Sequence, residues 1–202
     1  MPLLTPYVAS RSTDRGTPQS ALTIEFTPNG PRLAYRDPRP GDRDNHGNLW
    51  VRVEESPDPG HVQYDSLHPT RQRTCMQHLL CQICARPADR NKEGWLFIDW
   101  RHEDSPPTWP EKSLTTMPPL CTEHAHISAR QCPFLRHGEH HLLRVRKPHL
   151  HGVSGTLYQR TATGWTTTDN GQLSPYSKPR HPGMLAYLLV RQLRGTTIVK
   201  HP

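Results

Sequence analysis

Apolar and polar positions alternate along the first third of the chain in short segments that turn-forming residues separate. Residues 21–27 alternate with a period of two, which is typical of a β-strand that is buried on one face. Pro28-Asn29-Gly30 indicates a turn, and residues 31–35 can return as the second strand of a hairpin. Further strands are predicted for residues 49–54, 142–146, 152–160, 164–168 and 196–200.

Three other segments have a different pattern. Residues 94–100 are rich in aromatic and β-branched side chains and predict a strand. Residues 69–80 start with a proline and carry apolar residues at helical spacing, which predicts a helix. Residues 184–194 have an amphipathic pattern followed by Gly195, which predicts a C-terminal helix capped by that glycine.

Two ligand pairs with matching spacing flank the predicted strand at 94–100. Cys81 and Cys84 are separated by two residues, so that both thiolates can face one ion across a tight backbone knuckle. Cys121 and His124 have the same spacing, and they lie on one face if a helix begins after Pro119. Knuckle, hairpin and helix in this order are typical of a treble-clef zinc finger. The sequence therefore predicts a structural Zn²⁺ site with these four ligands.

The other cysteines fit this site less well. Cys132 would lie about 16 Å beyond Cys121 along a continuous helix, too far to share the ion. Cys75 belongs to an apolar helical stripe and is predicted to pack in the core, with a reserve role as a ligand. An alternative is that both pairs are buried thiols without a metal.

Composition limits the size of the core. Among 202 residues, 33% are hydrophobic and 22 are prolines, so that much of the chain should be loop or extended segment. A bound metal would compensate for the small hydrophobic core, because the free energy of metal binding adds to the free energy of folding. We expect a flexible arm at 1–20, a β-rich region at 21–67, a zinc-binding core at 68–136, and a β-hairpin with the C-terminal helix at 137–202. Residues 21–202 should form one globular unit.

The chain shows no membrane segment and no secretory signal. Its longest apolar run, residues 184–190, is too short to span a bilayer, and residues 1–6 lack a charged region followed by an apolar core. Cysteines grouped around one metal site are typical of a reducing compartment. We therefore expect a cytoplasmic protein.

A net charge of +7 permits an acidic partner. Basic residues concentrated after the zinc segment are candidates for contact with a phosphate backbone of DNA or RNA: Arg136, Arg144, Arg146, Lys147 and Arg160. A solvated basic face, or a surface for another protein, is the alternative. The histidine-rich residues 137–151 lack paired ligand spacing, so a polar surface is favoured there over a second metal site.

Part of the zinc segment resembles the layout of His-Asn-His nucleases, in which one histidine ends the strand and another lies on the final helix. That resemblance implies that His102 activates water, while Asp99 and His126 hold a divalent ion. Three features depart from the family. Trp100 and Arg101 stand between the acidic residue and the histidine, and the intervening loop is short. Asn91, the one asparagine between Cys84 and Cys121, comes too early to orient the base.

A broader resemblance covers about two thirds of the chain. Residues 71–89, 94–97, 118–121 and 132–136 are similar to a group of uncharacterised actinobacterial proteins, and the similarity extends loosely to 49–50 and 155–158. Members of that group often have cysteine at the position of His124. Because cysteine and histidine both bind Zn²⁺, the resemblance implies a metal role for this position, and it implies no activity.

Together these patterns predict an α+β protein in which β-hairpins flank a treble-clef-like zinc site. Four protein ligands leave no open position on the metal, which favours structure over catalysis. We expect a binding or regulatory protein with nucleic acid as its leading partner class, and a degenerate or divergent nuclease or a protein-interaction module as alternatives. The chain has no phosphate-binding loop or dinucleotide fingerprint, and no small-molecule cofactor is evident.

Overall fold

The computed structural model describes residues 4–58, 60–101, 103, 105–132, 135, 140–162 and 164–199. Within these ranges the protein is a mixed α+β structure made mostly of strands. Its two α-helices are α1 (Pro69–His78) and α2 (Thr122–Gln131). Its strands are β1 (Ala9–Arg11), β2 (Arg15–Gly16), β3 (Leu22–Thr27), β4 (Gly30–Tyr35), β5 (Leu49–Trp50), β6 (Val53–Glu54), β7 (Val62–Leu67), β8 (Arg90–Asn91), β9 (Gly94–Trp100), β10 (Leu114–Thr115), β11 (His140–Thr161), β12 (Gly164–Pro175) and β13 (Met184–Ile198).

The chain divides into two compact units assembled from separated segments. The first unit comprises residues 1–10, 62–150 and 190–202, and the second comprises residues 11–61 and 151–189. The predicted division into consecutive segments differs from this arrangement. The difference arises because β11 and β13 are long strands that contribute residues to both units.

The first unit contains both helices and a sheet in the order β10-β13-β11-β9-β8. In the antiparallel pair of β9 and β11, Ile98 lies opposite Leu142, and Phe97 lies opposite Leu143. Successive strand residues point to opposite faces, so these two rows pack into separate clusters. The Ile98 cluster includes Cys81 and Ala125, which brings the predicted knuckle and helix onto that face. The sheet is therefore the platform on which the candidate site is built.

The second unit consists of paired strands. As predicted, β3 and β4 form a hairpin, and β11 pairs antiparallel with β12. β2 pairs with β6, and β5 runs parallel to β13. The core contains mainly leucine and tyrosine side chains: Leu22, Leu33, Tyr35, Leu49, Tyr158 and Leu185.

The predicted C-terminal helix at 184–194 is a strand, β13, in the structure. The apolar run Met184–Val190 suits both a helix and a buried strand, because periodicity alone does not separate the two. Here β13 is hydrogen-bonded between β10 and β11, and its successive residues Leu189 and Val190, which point to opposite faces, are both almost fully inaccessible, as is Leu193. Gly195, the predicted helix cap, has a positive φ of 63° within this strand.

Two smaller expectations also differ from the structure. The predicted arm contains β1 and β2, and Val8 and Ala9 are buried, because this segment hydrogen-bonds to the first unit. The predicted strand at 49–54 is divided into β5 and β6. Three other predictions are confirmed. The predicted strand at 94–100 is β9, the one at 142–146 is part of β11, and the predicted helix at 69–80 is α1.

Candidate metal centre

The first ligand pair lies in a tight turn directly after α1. Leu79 ends the helix in the left-handed conformation, with a φ of 53°. The Ala85 amide then donates to the Cys81 carbonyl over 2.8 Å, and the Cys81 amide donates to the Arg86 carbonyl over 2.7 Å. These bonds close the backbone around residues 81–86, so that the thiols of Cys81 and Cys84 face the same point.

The second pair lies at the start of α2. Cys121 is the N-cap residue, and His124 lies in the first turn of the helix. The preceding residue, Leu120, is fully buried, and its amide donates to Leu96 of β9 over 2.8 Å. The Gln82 amide donates to the Pro119 carbonyl over 3.0 Å, which ties the knuckle directly to this segment. Backbone hydrogen bonds and burial of Leu120 therefore hold the two pairs against each other.

The four side chains converge. One donor atom from each of Cys81, Cys84, Cys121 and His124 lies within 4.8 Å of all the others. The Nδ1 atom of His124 lies 3.8 Å from Cys81 Sγ and 3.1 Å from Cys121 Sγ. Tetrahedral Zn²⁺, with bonds of about 2.3 Å to sulfur and 2.0–2.1 Å to nitrogen, places its ligand atoms about 3.5–3.8 Å apart. The four residues could therefore hold a metal ion with little adjustment.

The electrostatic surroundings differ between the two knuckle thiols. Burial raises the pKa of Cys81 to about 11, although the amides of Cys121, Cys84 and Ile83 donate to its sulfur and oppose the rise. Burial also acts to raise the pKa of Cys84, but hydrogen bonds from the Arg86 amide and guanidinium outweigh it, and the pKa of Cys84 is lowered. A bound cation would favour the thiolate form of both residues.

Arg86 is a contributor that sequence reasoning missed. Its guanidinium reaches the Cys84 thiol and lies 3.9 Å from Glu123 of α2. The sequence feature that could have indicated this role is a cation placed two residues after Cys84, the second cysteine of the knuckle. Such a residue supports a thiolate ligand from outside the coordination sphere.

The remaining cysteines lie outside the ligand group. Cys75 is fully buried in α1, and its thiol donates to the Cys81 carbonyl over 3.9 Å. Burial, followed by repulsion from Cys81 and Cys84, raises the pKa of Cys75 to about 12. Cys132 is half-buried at the C-cap of α2. Cys75, which the sequence analysis kept as a reserve ligand, is therefore a thiol of the core.

The residues of the nuclease resemblance do not form a second ligand group within the described ranges. Asp99 is half-buried on β9, and its carboxylate accepts from the Trp100 amide over 2.9 Å. His126 is exposed on α2. Neither belongs to the cluster that could hold a metal. His102 lies outside the described residues.

The predicted basic residues have different surroundings. Arg144 is paired with Asp89, with 2.5 Å between Nη1 and Oδ2, and only 13% of its side chain is exposed. Arg146 and Lys147 are exposed on the first-unit part of β11. Arg160 is exposed in the second unit, with its guanidinium 5.8 Å from the centre of the Phe26 ring. Arg136 lies outside the described residues.

The histidine-rich segment shows separate local contacts where it is described. The Nδ1 atom of His140 lies 3.0 Å from the Leu135 carbonyl, and the His141 ring lies 5.1 Å from Trp109. His149 is exposed, and His137 lies outside the described residues. No histidine of the described part of this segment joins a group that could hold a metal.

Neither helix of the described chain is long and apolar enough to cross a lipid bilayer. Comparisons with protein-family models, with curated proteins and with solved structures found no match to this chain. The chemistry of the metal centre and of the surfaces therefore carries the functional argument.

Proposed function

We propose that this protein is a zinc-stabilised binding protein whose first unit contacts nucleic acid through a basic surface. The observation that carries the proposal is the convergence of four protein ligands, three of them thiols, at a site where Cys81 and His124 are buried. Structural zinc sites fill all four positions with protein ligands, whereas catalytic sites keep one position open. This ligand set supports a structural role for the metal and a binding role for the protein.

The donor set favours Zn²⁺ over harder cations. Three thiolates and one imidazole are soft or intermediate ligands, whereas Mg²⁺ and Ca²⁺ prefer oxygen. The knuckle at 81–84, the β8–β9 hairpin and the first turn of α2 follow one another as in a treble-clef finger. Cytoplasmic location fits as well, since the five cysteines, all among the described residues, form no disulfide, which is typical of proteins in a reducing compartment. The similarity to actinobacterial zinc proteins stays a prediction.

The basic surface lies around the start of β9. Gly94 packs directly against the backbone of Val145 and Arg146, so that the turn that carries Lys92 and Glu93 lies beside the backbone of Arg146. Lys147 lies two residues after Val145, the partner of Trp95 across the strands, and the Arg90 guanidinium lies 4.2 Å from the centre of the Trp95 ring, so these two cations share the face of the ring, whereas Arg146 points to the other face. Exposed cations beside an aromatic ring suit a phosphate backbone with unstacked bases.

Salt-dependent binding tests this part of the proposal. We expect the protein to bind a mixed-sequence oligonucleotide, single- or double-stranded, with an affinity that falls steeply as salt rises. Lys147→Ala should reduce the slope of log affinity against log salt by about 1, because one phosphate contact is lost. Lys178→Ala, which removes an exposed lysine of the second unit, is the matched control and should leave the slope unchanged.

Fluorescence anisotropy with a labelled oligonucleotide measures both quantities. If no binding occurs at low salt, the nucleic-acid proposal is wrong and a surface for another protein becomes the better hypothesis. If Lys147→Ala and Lys178→Ala weaken binding equally, binding depends on the net charge of the whole protein and not on this surface.

A further inference from the structure

The β8–β9 hairpin holds a guanidinium against an aromatic ring. Arg90 and Trp95 lie opposite each other across the two strands, and the Arg90 guanidinium carbon lies 4.2 Å from the centre of the Trp95 ring. A cation and an aromatic ring attract each other at separations of up to about 6 Å. Contact with the ring therefore restricts where the guanidinium can lie.

The two partners of this contact differ in exposure. Trp95 is half-buried and packs against a cluster of buried apolar side chains, which are Phe97, Leu143, Val145 and Leu193. Arg90, in contrast, is exposed. A guanidinium is planar, and contact with Trp95 uses at most one of its two faces. Because the Arg90 side chain is exposed, a second planar group can stack on the other face.

The acidic side chains of this hairpin do not neutralise Arg90. Asp89 directly precedes it, but the Asp89 carboxylate is paired with Arg144. Glu93 lies in the turn next to Lys92. Within the part of the chain that the structure describes, no carboxylate forms an ion pair with Arg90. The Arg90 charge is therefore available to a ligand.

Lys147 supplies a second cation on the same face of the sheet. Val145 lies opposite Trp95, and Lys147, two residues further along β11, is the diagonal neighbour of Trp95. Diagonal neighbours in an antiparallel pair of strands lie about 7–8 Å apart, and Lys147 is exposed. A nucleotide strand with one base on Arg90 can therefore place a phosphate within reach of Lys147.

Stacking on a guanidinium selects against a duplex. In double-stranded DNA each base is stacked between its neighbours, so a side chain reaches the face of a base only after that base is unstacked. In a single strand the base faces are accessible, and proteins bind them on aromatic rings and on guanidinium planes. Phosphate contacts do not select in this way, because both forms carry phosphates.

We propose that the basic surface prefers single-stranded nucleic acid, one base of which stacks on the Arg90 guanidinium while Lys147 binds a phosphate of the same strand. Trp95 holds the guanidinium in place from the side of the core. This inference rests on the proposed nucleic-acid function, and it names the form of nucleic acid that the surface binds.

Three labelled ligands of equal length test the proposal: oligothymidylate, the same strand with abasic residues in place of its bases, and its duplex with oligoadenylate. All three carry phosphates, but only oligothymidylate has accessible bases. By fluorescence anisotropy at one low salt concentration, it should bind the full-length protein at least about fivefold more tightly than either other ligand, the equivalent of one base stack. An equivalent set built on oligouridylate distinguishes RNA from DNA.

Arg90→Lys separates stacking from charge. Lysine keeps the positive charge but lacks the planar guanidinium, so the variant should bind oligothymidylate about fivefold more weakly, with an unchanged salt slope and an unchanged affinity for the abasic strand. Arg130→Lys is the matched control, because Arg130 is exposed on α2 and contacts no aromatic ring among the described residues. It should change each affinity less than about twofold.

The proposal is overturned if the abasic strand or the duplex binds as tightly as oligothymidylate, or if Arg90→Lys and Arg130→Lys have equal affinities for oligothymidylate. Salt-dependent binding in those cases would still support the proposed function, without base stacking. If none of the three ligands binds at low salt, the proposed function and this inference are both wrong.

Discussion

Single cysteines of this protein have distinct roles because of their immediate surroundings. Cys81 and Cys84 belong to a closed turn whose amides point at sulfur, while Cys75 faces apolar neighbours six residues earlier. In the sequence, only the spacing distinguishes the ligands from Cys75, because two cysteines of a knuckle are separated by two residues, as Cys81 and Cys84 are. The surroundings explain why one fully buried thiol belongs to the ligand group and another does not.

His124 provides a direct test of ligand chemistry at one position. His124→Cys keeps four soft ligands, so the variant should retain zinc and fold, whereas His124→Ala should lose zinc affinity by orders of magnitude and unfold at lower temperature. Competition with a chelator and thermal unfolding measure the two effects. Unchanged zinc affinity in His124→Ala would show that the position does not bind the metal through a donor atom.

An ion pair in the second unit gives a prediction for acid stability. Arg52 donates two hydrogen bonds to the Asp42 carboxylate, at 2.7 and 2.6 Å, and only 11% of the Asp42 side chain is exposed. Burial alone would raise the pKa of Asp42, but the bonds from Arg52 outweigh it and hold the pKa below 3.8. The folded state therefore gains stability above pH 3.8 that is lost as the pH falls through the lower folded-state pKa.

Asp42→Asn should remove that gain. We expect the variant to be less stable at neutral pH by about 1–3 kcal/mol, and the difference from wild type should shrink as the pH falls below 3.8. Urea unfolding at several pH values measures it. Asp37→Asn is the control, because 81% of the Asp37 side chain is exposed, and it should have little effect at any pH. A difference for Asp42→Asn that stays constant with pH would contradict the account.

At the scale of elements, a buried arginine joins β13 to the end of α1. Arg191 is 6% exposed, and its guanidinium donates to the carbonyls of Met76, Gln77 and Pro148. Two of these carbonyls lie in the last turn of the helix, where acceptors lack partners and a cation is favourable. Desolvation lowers the pKa of Arg191 to about 10, so it is charged at neutral pH.

Replacing Arg191 should therefore loosen the contact between helix and sheet. Arg191→Ala leaves three carbonyls without their donor and should cost about 2–4 kcal/mol of unfolding free energy. Arg194→Ala, at an exposed position of the same strand, should cost less than about 0.5 kcal/mol. Chemical denaturation compares them, and similar small losses in both variants would refute a structural role for Arg191.

The close approach of β11 and β13 gives a test of the strand assignment. A Cβ atom at Gly155 would meet the Leu185 carbonyl oxygen and would lie 2.8 Å from the Ala186 Cα. Gly155→Ala should therefore destabilise the protein by about 1–3 kcal/mol. Gly16→Ala is the control, because nothing lies within 4 Å of the added atom. A neutral Gly155→Ala would mean that residues 184–194 do not pair with β11 there.

Some elements could be predicted from the sequence and others could not. Residues 22–35 contain both strands and the turn of their hairpin, and residues 69–78 carry a proline start and a helical stripe, so local signals were sufficient. The helix predicted for residues 184–194 is wrong, because an apolar run forms a strand only when distant strands pair with it, as β10 and β11 do here. The hydrogen-bond partners of Arg191 are residues far apart from it in sequence, which no local pattern reveals.

At the scale of the whole molecule, a metal ion held by these four residues would compensate for a small apolar content. Only 33% of the residues are hydrophobic, and the core is divided among several small clusters. The four residues join the end of α1 to the segment before α2, so removal of a bound metal should affect both elements. Zinc binding is thus the central claim about this protein.

Zinc content of the protein purified without added metal tests that claim most directly, with Cys121→Ser and Cys75→Ser measured alongside. We expect about one zinc per wild-type chain and per Cys75→Ser chain, and loss of zinc together with the folded state in Cys121→Ser. A folded wild-type protein without zinc, or a Cys121→Ser variant that keeps both its zinc and its fold, would contradict the account.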